Sequence, residues 1–192
     1  MRNCIVAQSG GPTVAINASL SGVIEKAYTS GSYDHIYGSL HGILGLLNND
    51  IICFDDKLED ETFLQALATT PAMYLGSCRY KLPKMADDIE LYEKIFAFFE
   101  ANDITGFFYI GGNDSMDTVL QLSTYAKLHE KSVTIMGVPK TIDNDLCLTD
   151  HTPGFGSAAK YIATTLQEIA YDTSIYPLPS VTIVEIMGRD AG

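Results

Sequence analysis

Within Lys140-Thr141-Ile142-Asp143-Asn144-Asp145 the sequence sets an ammonium, a hydroxyl and two carboxylates side by side, directly after Pro139. One carboxylate of such a pair can hold Mg²⁺ while the other accepts a proton. Mg²⁺ needs only one or two protein carboxylates when water and substrate phosphate complete its shell. A polar Asp/Asn turn has the same composition, so the segment gains meaning only from its surroundings. Gly10-Gly11 and Gly111-Gly112 each stand between an apolar run and a helical pattern. Missing Cβ atoms there let backbone approach a ligand, and helix N-terminal amides can hold phosphate. Glycine pairs also end many ordinary strands. Neither pair fits G-x-G-x-x-G, and G-x-x-x-x-G-K-[ST] does not occur, so dinucleotide binding and Walker-type hydrolysis lack their usual signatures.

Charge narrows the choice further. Twelve Lys plus Arg against 24 Asp plus Glu give a formal net charge of -12, which repels polyanions and excludes nucleic acid as an expected partner. A small phosphorylated ligand must be held locally, by backbone N–H groups, a metal ion or a few placed cations. The three arginines, Arg2, Arg79 and Arg189, therefore carry information by position. Cys4, Cys53, Cys78 and Cys147 form no C-x-x-C pair and read as reduced thiols. His35, His41, His129 and His151 show no spacing that requires a metal. Apolar runs such as 104–110 fall far short of the roughly 20 residues of a membrane span, and no signal pattern opens the chain. The expectation is a soluble, cytoplasmic protein that neither spans nor binds a membrane. At 192 residues, 46% hydrophobic and 19% charged, it has room for one large domain.

The elements that must position these residues alternate along the chain. Cys4 to Ala7 reads as a strand, and Ile16, Leu20, Val23, Ile24 and Ala27 share one helical face. Tyr37 to Asn49 is glycine-rich and carries no clear period. Phe63, Ala66 and Leu67 suggest a short helix before Pro71, and Ile89, Tyr92, Ile95, Phe96 and Phe99 a longer one. Gly106 to Ile110 is β-favoured, Met116, Val119, Leu120 and Ser123 restore helical spacing, and Val133 to Val138 reads as a buried strand stopped by Pro139. Ala158, Ile162, Leu166 and Ile169 lie on one face of a further helix, and Val181 to Ile186 reads as the last strand. Alternating strands and helices predict an α/β fold with a doubly wound, mainly parallel sheet. In such a sheet ligands bind beyond the carboxyl ends of the strands. Gly10 to Thr13, Gly111 to Ser115, Pro139 to Asp145 and Met187 to Asp190 each follow a predicted strand, so they are expected to meet at one crevice.

Taken in order and spacing, these four segments resemble the phosphofructokinase family over nearly the whole chain. Thr141-Ile142-Asp143-Asn144-Asp145 followed by Met187-Gly188-Arg189 is the specific part of the match. ATP-using members commonly carry glycine where Asp114 and Lys140 stand, whereas pyrophosphate-using members resemble this chain at both positions. The resemblance implies Mg²⁺-dependent phosphoryl transfer from pyrophosphate to the 1-hydroxyl of fructose 6-phosphate. Asp143 matches the general base, with Lys140 beside it. Gly11, Gly112, Asp114, Lys140 and Arg79 match the pyrophosphate side, and Thr141, Asp143, Asp145, Met187, Gly188 and Arg189 the sugar side. Asp114 and Asp145 match the metal-associated carboxylates, and Asn113 departs from the acidic residue of the ATP-using pattern.

Family members continue into a second α/β domain. Residues 1–192 are thus expected to be an N-terminal catalytic domain cut before that domain, with little turnover alone. The resemblance also implies a homo-oligomer in which a neighbouring subunit contributes cations to the sugar 6-phosphate. Two other readings stand beside this one: an ATP-using relative that accommodates Asp114 and Lys140, and a regulatory subunit that binds phosphosugar without reacting it.

Overall fold

The computed structural model describes residues 1–186. Strand β1 (Asn3–Gln8) leads through a glycine turn into helix α1 (Ile16–Ser30), then β2 (Ile36–Ser39), α2 (Ile43–Asn48) and β3 (Ile51–Cys53). A 3-10 turn at Asp55–Glu59 precedes α3 (Phe63–Thr69), and a long irregular loop follows it. Next come α4 (Ile89–Ala101), β4 (Ile104–Gly111), α5 (Asn113–Leu128), β5 (Thr134–Pro139) and α6 (Phe155–Ser174). The sheet order is β3-β2-β1-β4-β5, parallel except where β3 runs antiparallel to β2.

Side chains alternate across the sheet, as strand geometry demands. Ile5 and Ala7 of β1, with Phe107 and Tyr109 of β4, join α2, α4 and α5 in one core. Cys4 and Val6, with Ile110, join α1 and α3 in the other. All six residues of β1 are buried because the strand lies mid-sheet between both helical layers. Tyr92, Phe96, Phe99 and Phe107 are almost completely buried, each contributing roughly 1.5–3 kcal/mol of hydrophobic stabilisation. Between β1 and β4 the winding reverses direction, and at such a switch point the loops leaving the strand ends part to form a crevice.

The doubly wound architecture agrees with the sequence reading, with four local corrections. The unclear 37–49 stretch holds part of β2 and all of α2. Strand β5 is not buried: among the described residues it is the sheet edge with no neighbour on its outer side, and Met136 is 49% exposed. On α5 the core face is Ser115, Thr118, Leu122, Tyr125 and Ala126, which turns Leu120 to solvent. Residues 181–186 form no strand and stand exposed, because β-favoured composition needs a partner strand before it becomes a ladder and, among the described residues, none lies beside them. The Ala158-to-Ile169 face does form a helix, yet none of its residues is buried. Among the described residues no helix is long and apolar enough to cross a membrane.

Candidate active site

Three strand ends deliver the polar segments to one place. After β1, Gly10 turns with φ of 81°, a conformation that glycine adopts without Cβ strain. After β4, Gly111 is packed so closely that a Cβ would meet the Ser115 side chain and come within 2.8 Å of Ser9 Oγ. The Ser9 and Ser115 hydroxyls hydrogen-bond across this junction. After β5, Lys140 N donates to Gly111 O at 2.9 Å, which carries the ladder one step past the sheet.

Main-chain and hydroxyl bonds then bind in a fourth loop. Ser77 Oγ donates to Gly10 O at 2.6 Å, and Gly10 N to Cys78 O at 3.4 Å. This delivers Arg79 to the same cavity, of about 320 Å³, lined by Gly11, Arg79, Gly112, Asp114, Lys140, Thr141 and Asp143 among others. Gly11 has nothing within 4 Å of where its Cβ would stand, so the cradle is open on the ligand side. Helix α5 is preceded by Gly112 at its N-cap, which has no side chain to cap it; its first N–H groups therefore retain capacity for an anion.

Lys140 is 3% exposed, and its Nζ donates to Gly11 O at 2.6 Å. Burial pushes its pKa below the ordinary lysine value, and the Asp143 carboxylate pulls it partly back. Thr141 is buried as well, and its Oγ1 accepts from Asp143 N at 3.0 Å, fixing the backbone from which the carboxylate springs. Asp145 is exposed and is not part of the cavity lining; Asn113 Nδ2 donates to its Oδ2 at 2.7 Å. Asn144 between the two acids has φ of 54°, so the pair does not follow strand alternation.

Among the described residues no three His, Cys, Asp or Glu side chains converge. A cation here would draw on Asp145, and on Asp114 at the cavity wall, with substrate oxygens and water completing its shell. Met187, Gly188 and Arg189 lie outside the described residues.

Sequence reasoning missed several contributors. Tyr80 and Lys81 line the cavity beside Arg79, a cationic loop that Arg79 and Lys81 announced two residues apart. Ser77 and Thr152 act through hydroxyls on backbone carbonyls, and single hydroxyls carry no readable pattern. A second cavity of about 1040 Å³ adjoins the first at Lys81, Asn113 and Asp114.

The family model for phosphofructokinase matches residues 3–192. The chain belongs to the phosphofructokinase family. It is 45% identical over 192 residues to a pyrophosphate--fructose 6-phosphate 1-phosphotransferase from Xanthomonas campestris pv. campestris, covering 99% of this chain and 45% of that one. Against the crystal structure of a pyrophosphate-dependent phosphofructokinase from Marinobacter aquaeolei the TM-score is 0.80 at 44% identity, covering 90% of this chain and 42% of the other. An ATP-dependent 6-phosphofructokinase from Macrococcus caseolyticus is more distant, at 33% over 193 residues, and the match covers 54% of its length. The phosphofructokinase chain described here thus spans about half the length of these relatives.

Proposed function

We propose that this chain carries the catalytic site for Mg²⁺-dependent phosphoryl transfer from pyrophosphate to the 1-hydroxyl of fructose 6-phosphate. The products are fructose 1,6-bisphosphate and phosphate. The reading rests on one observation above all: Lys140, Asp143 and Asp114 line a single cavity whose walls are the glycine turns after β1 and β4. Relatives named for the same reaction support it.

Asp143 takes the proton of the sugar hydroxyl as that oxygen forms its bond to phosphorus. The bridging P–O bond breaks, and phosphate leaves with the electron pair. Transfer of this kind depends mainly on positioning and charge stabilisation. Lys140, Arg79 and the amides around Gly11 and Gly112 hold the donor's oxygens, while Thr141 presents a hydroxyl near the transferred group. Asp145 and Asp114 would hold Mg²⁺, which when bound neutralises phosphoryl charge. Met187, Gly188 and Arg189 match the sugar-binding segment.

Donor choice follows from Asp114, which stands where the two cavities join. A carboxylate at this shared wall takes up volume a nucleoside would use and opposes phosphate charge. Two unit charges about 4 Å apart interact by roughly 4 kcal/mol at an effective dielectric near 20. The larger adjoining cavity favours a second reading, in which ATP reaches across Asp114. By family resemblance we read the full-length protein as a cytoplasmic homo-oligomer whose neighbouring subunit supplies cations to the sugar 6-phosphate. Assaying the full-length protein with fructose 6-phosphate, Mg²⁺ and either donor tests the reading. Turnover with pyrophosphate is expected; robust ATP use with no pyrophosphate response would overturn the donor assignment.

A further inference from the structure

The segment from Thr141 to Gly154 is a closed loop. At its base Thr141 N donates to Pro153 O at 3.1 Å and Thr152 Oγ1 to Thr141 O at 2.7 Å, and Thr141 pairs with Gly154 in a parallel bridge. Further into the loop the cross-bracing comes from one side chain. Asn144 Oδ1 accepts from Thr152 N at 2.9 Å, and Asn144 Nδ2 donates to Asp150 O at 3.1 Å. One primary amide thus serves an N–H and a C=O two residues apart, which is the demand a neighbouring strand would satisfy.

The residue type follows from that job. Alanine has neither group, aspartate has no donor for the Asp150 carbonyl, and glutamine is a methylene longer. Asn144 also holds φ of 54°, where asparagine is among the few non-glycine residues found regularly. We infer that Asn144 is a positioning residue: its amide rung holds the backbone on which Asp143 and Asp145 are mounted, and so sets where proton acceptance occurs. The kinetic part of this inference rests on the reading under Proposed function.

The test uses Asn144→Gly, which keeps the backbone conformation and removes the amide, and Asn144→Asp, which keeps the shape and removes the donor. Two quantities are read in the full-length protein: amide hydrogen exchange at Thr152, and kcat and KM with pyrophosphate and fructose 6-phosphate. Faster exchange at Thr152 in Asn144→Gly is expected, with kcat down at least tenfold and both KM values within about threefold. Asn144→Asp is expected to lie between Asn144→Gly and wild type. Unchanged exchange would show that the rung does not brace the loop, and faster exchange with unchanged kcat would show that the brace does not position the acid. If Asn144→Gly fails to fold, Asn144→Asp decides: wild-type kcat there overturns the inference. A wild-type protein without transfer activity sinks the functional reading instead, and the exchange result still judges the brace.

Discussion

The Lys140 ammonium donates to the Gly11 carbonyl across 129 residues of chain, so the loop after β5 is locked to the loop after β1 by a charged hydrogen bond. Such bonds contribute about 1.5–3 kcal/mol, and each 1.4 kcal/mol is about a factor of ten. The proposed contact from the same ammonium to the donor's oxygens is of the same kind, so Lys140→Met should raise KM for pyrophosphate by roughly 10–100-fold. The pH dependence has a defined sign. Because burial lowers the Lys140 pKa despite Asp143, the ammonium is lost below the ~10.4 of an ordinary lysine. The alkaline limb of kcat/KM should start below that value in wild type and be missing in Lys140→Met. An identical limb in both proteins would assign it to another group.

Asp143→Asn removes the proton acceptor while retaining shape. General-base assistance is typically a factor of ~10²–10⁴, so kcat should fall by about that much with ligand affinity largely spared. Equilibrium binding of fructose 6-phosphate measured alongside turnover separates the two effects. Near wild-type turnover would remove Asp143 from the base role. Full turnover loss with intact binding would argue against a subunit that only binds phosphosugar.

Asp114→Gly combined with Lys140→Gly removes a carboxylate that lines both cavities and the point charge of Lys140. Pyrophosphate use should weaken and some ATP use should appear, read as initial rates with each donor. Unchanged donor kinetics would contradict both assigned roles.

Gly111→Ala tests the junction rather than the chemistry. The added Cβ would come within 2.6 Å of Ser115 Cβ and 2.8 Å of Ser9 Oγ, and overpacking of this kind costs about 1–3 kcal/mol. At about 2–4 °C per kcal/mol for a domain of this size, calorimetry should show a Tm lower by several degrees. An unaltered Tm would mean that the strand end gives way easily.

At Asp55, partial burial raises the carboxyl pKa, but hydrogen bonds from His35, the Ile36 amide and Cys53 outweigh it and hold the group below the usual range. His35 Nδ1 lies 2.6 Å from Asp55 Oδ2. Between that depressed value and ~3.9 the unfolded chain binds the extra proton, so stability rises with pH across the window and is lost as pH falls through it. Asp55→Asn should flatten this acid limb in urea unfolding series run at successive pH values. A limb that survives the substitution would belong to other carboxylates.

How much was legible depended on whether local pattern or distant partner decides a segment. β1, α1, α4 and β4 announce themselves because both faces or one full helical stripe are apolar. β3 does not: it has three residues, and only antiparallel pairing with β2 makes it a strand. Residues 181–186 show the converse, a strand-like composition without a partner among the described residues. At the site, Lys140, Asp143 and the glycine turns were readable from their order along the chain. Arg79 was named only through the family resemblance, because what brings it to the cavity, the Ser77 hydroxyl and the Cys78 carbonyl bonded to Gly10, forms no readable residue pattern. Asn144 was hidden for the same reason, its partners being the backbone of Asp150 and Thr152.

Helix α6 has 20 residues and none buried, while its first turn is moored beside Thr141 through the bridge to Gly154. At ~1.5 Å per residue it reaches roughly 30 Å. Asp143 stands two residues beyond Thr141, so the acid's loop and the longest helix of the described residues share one anchor point.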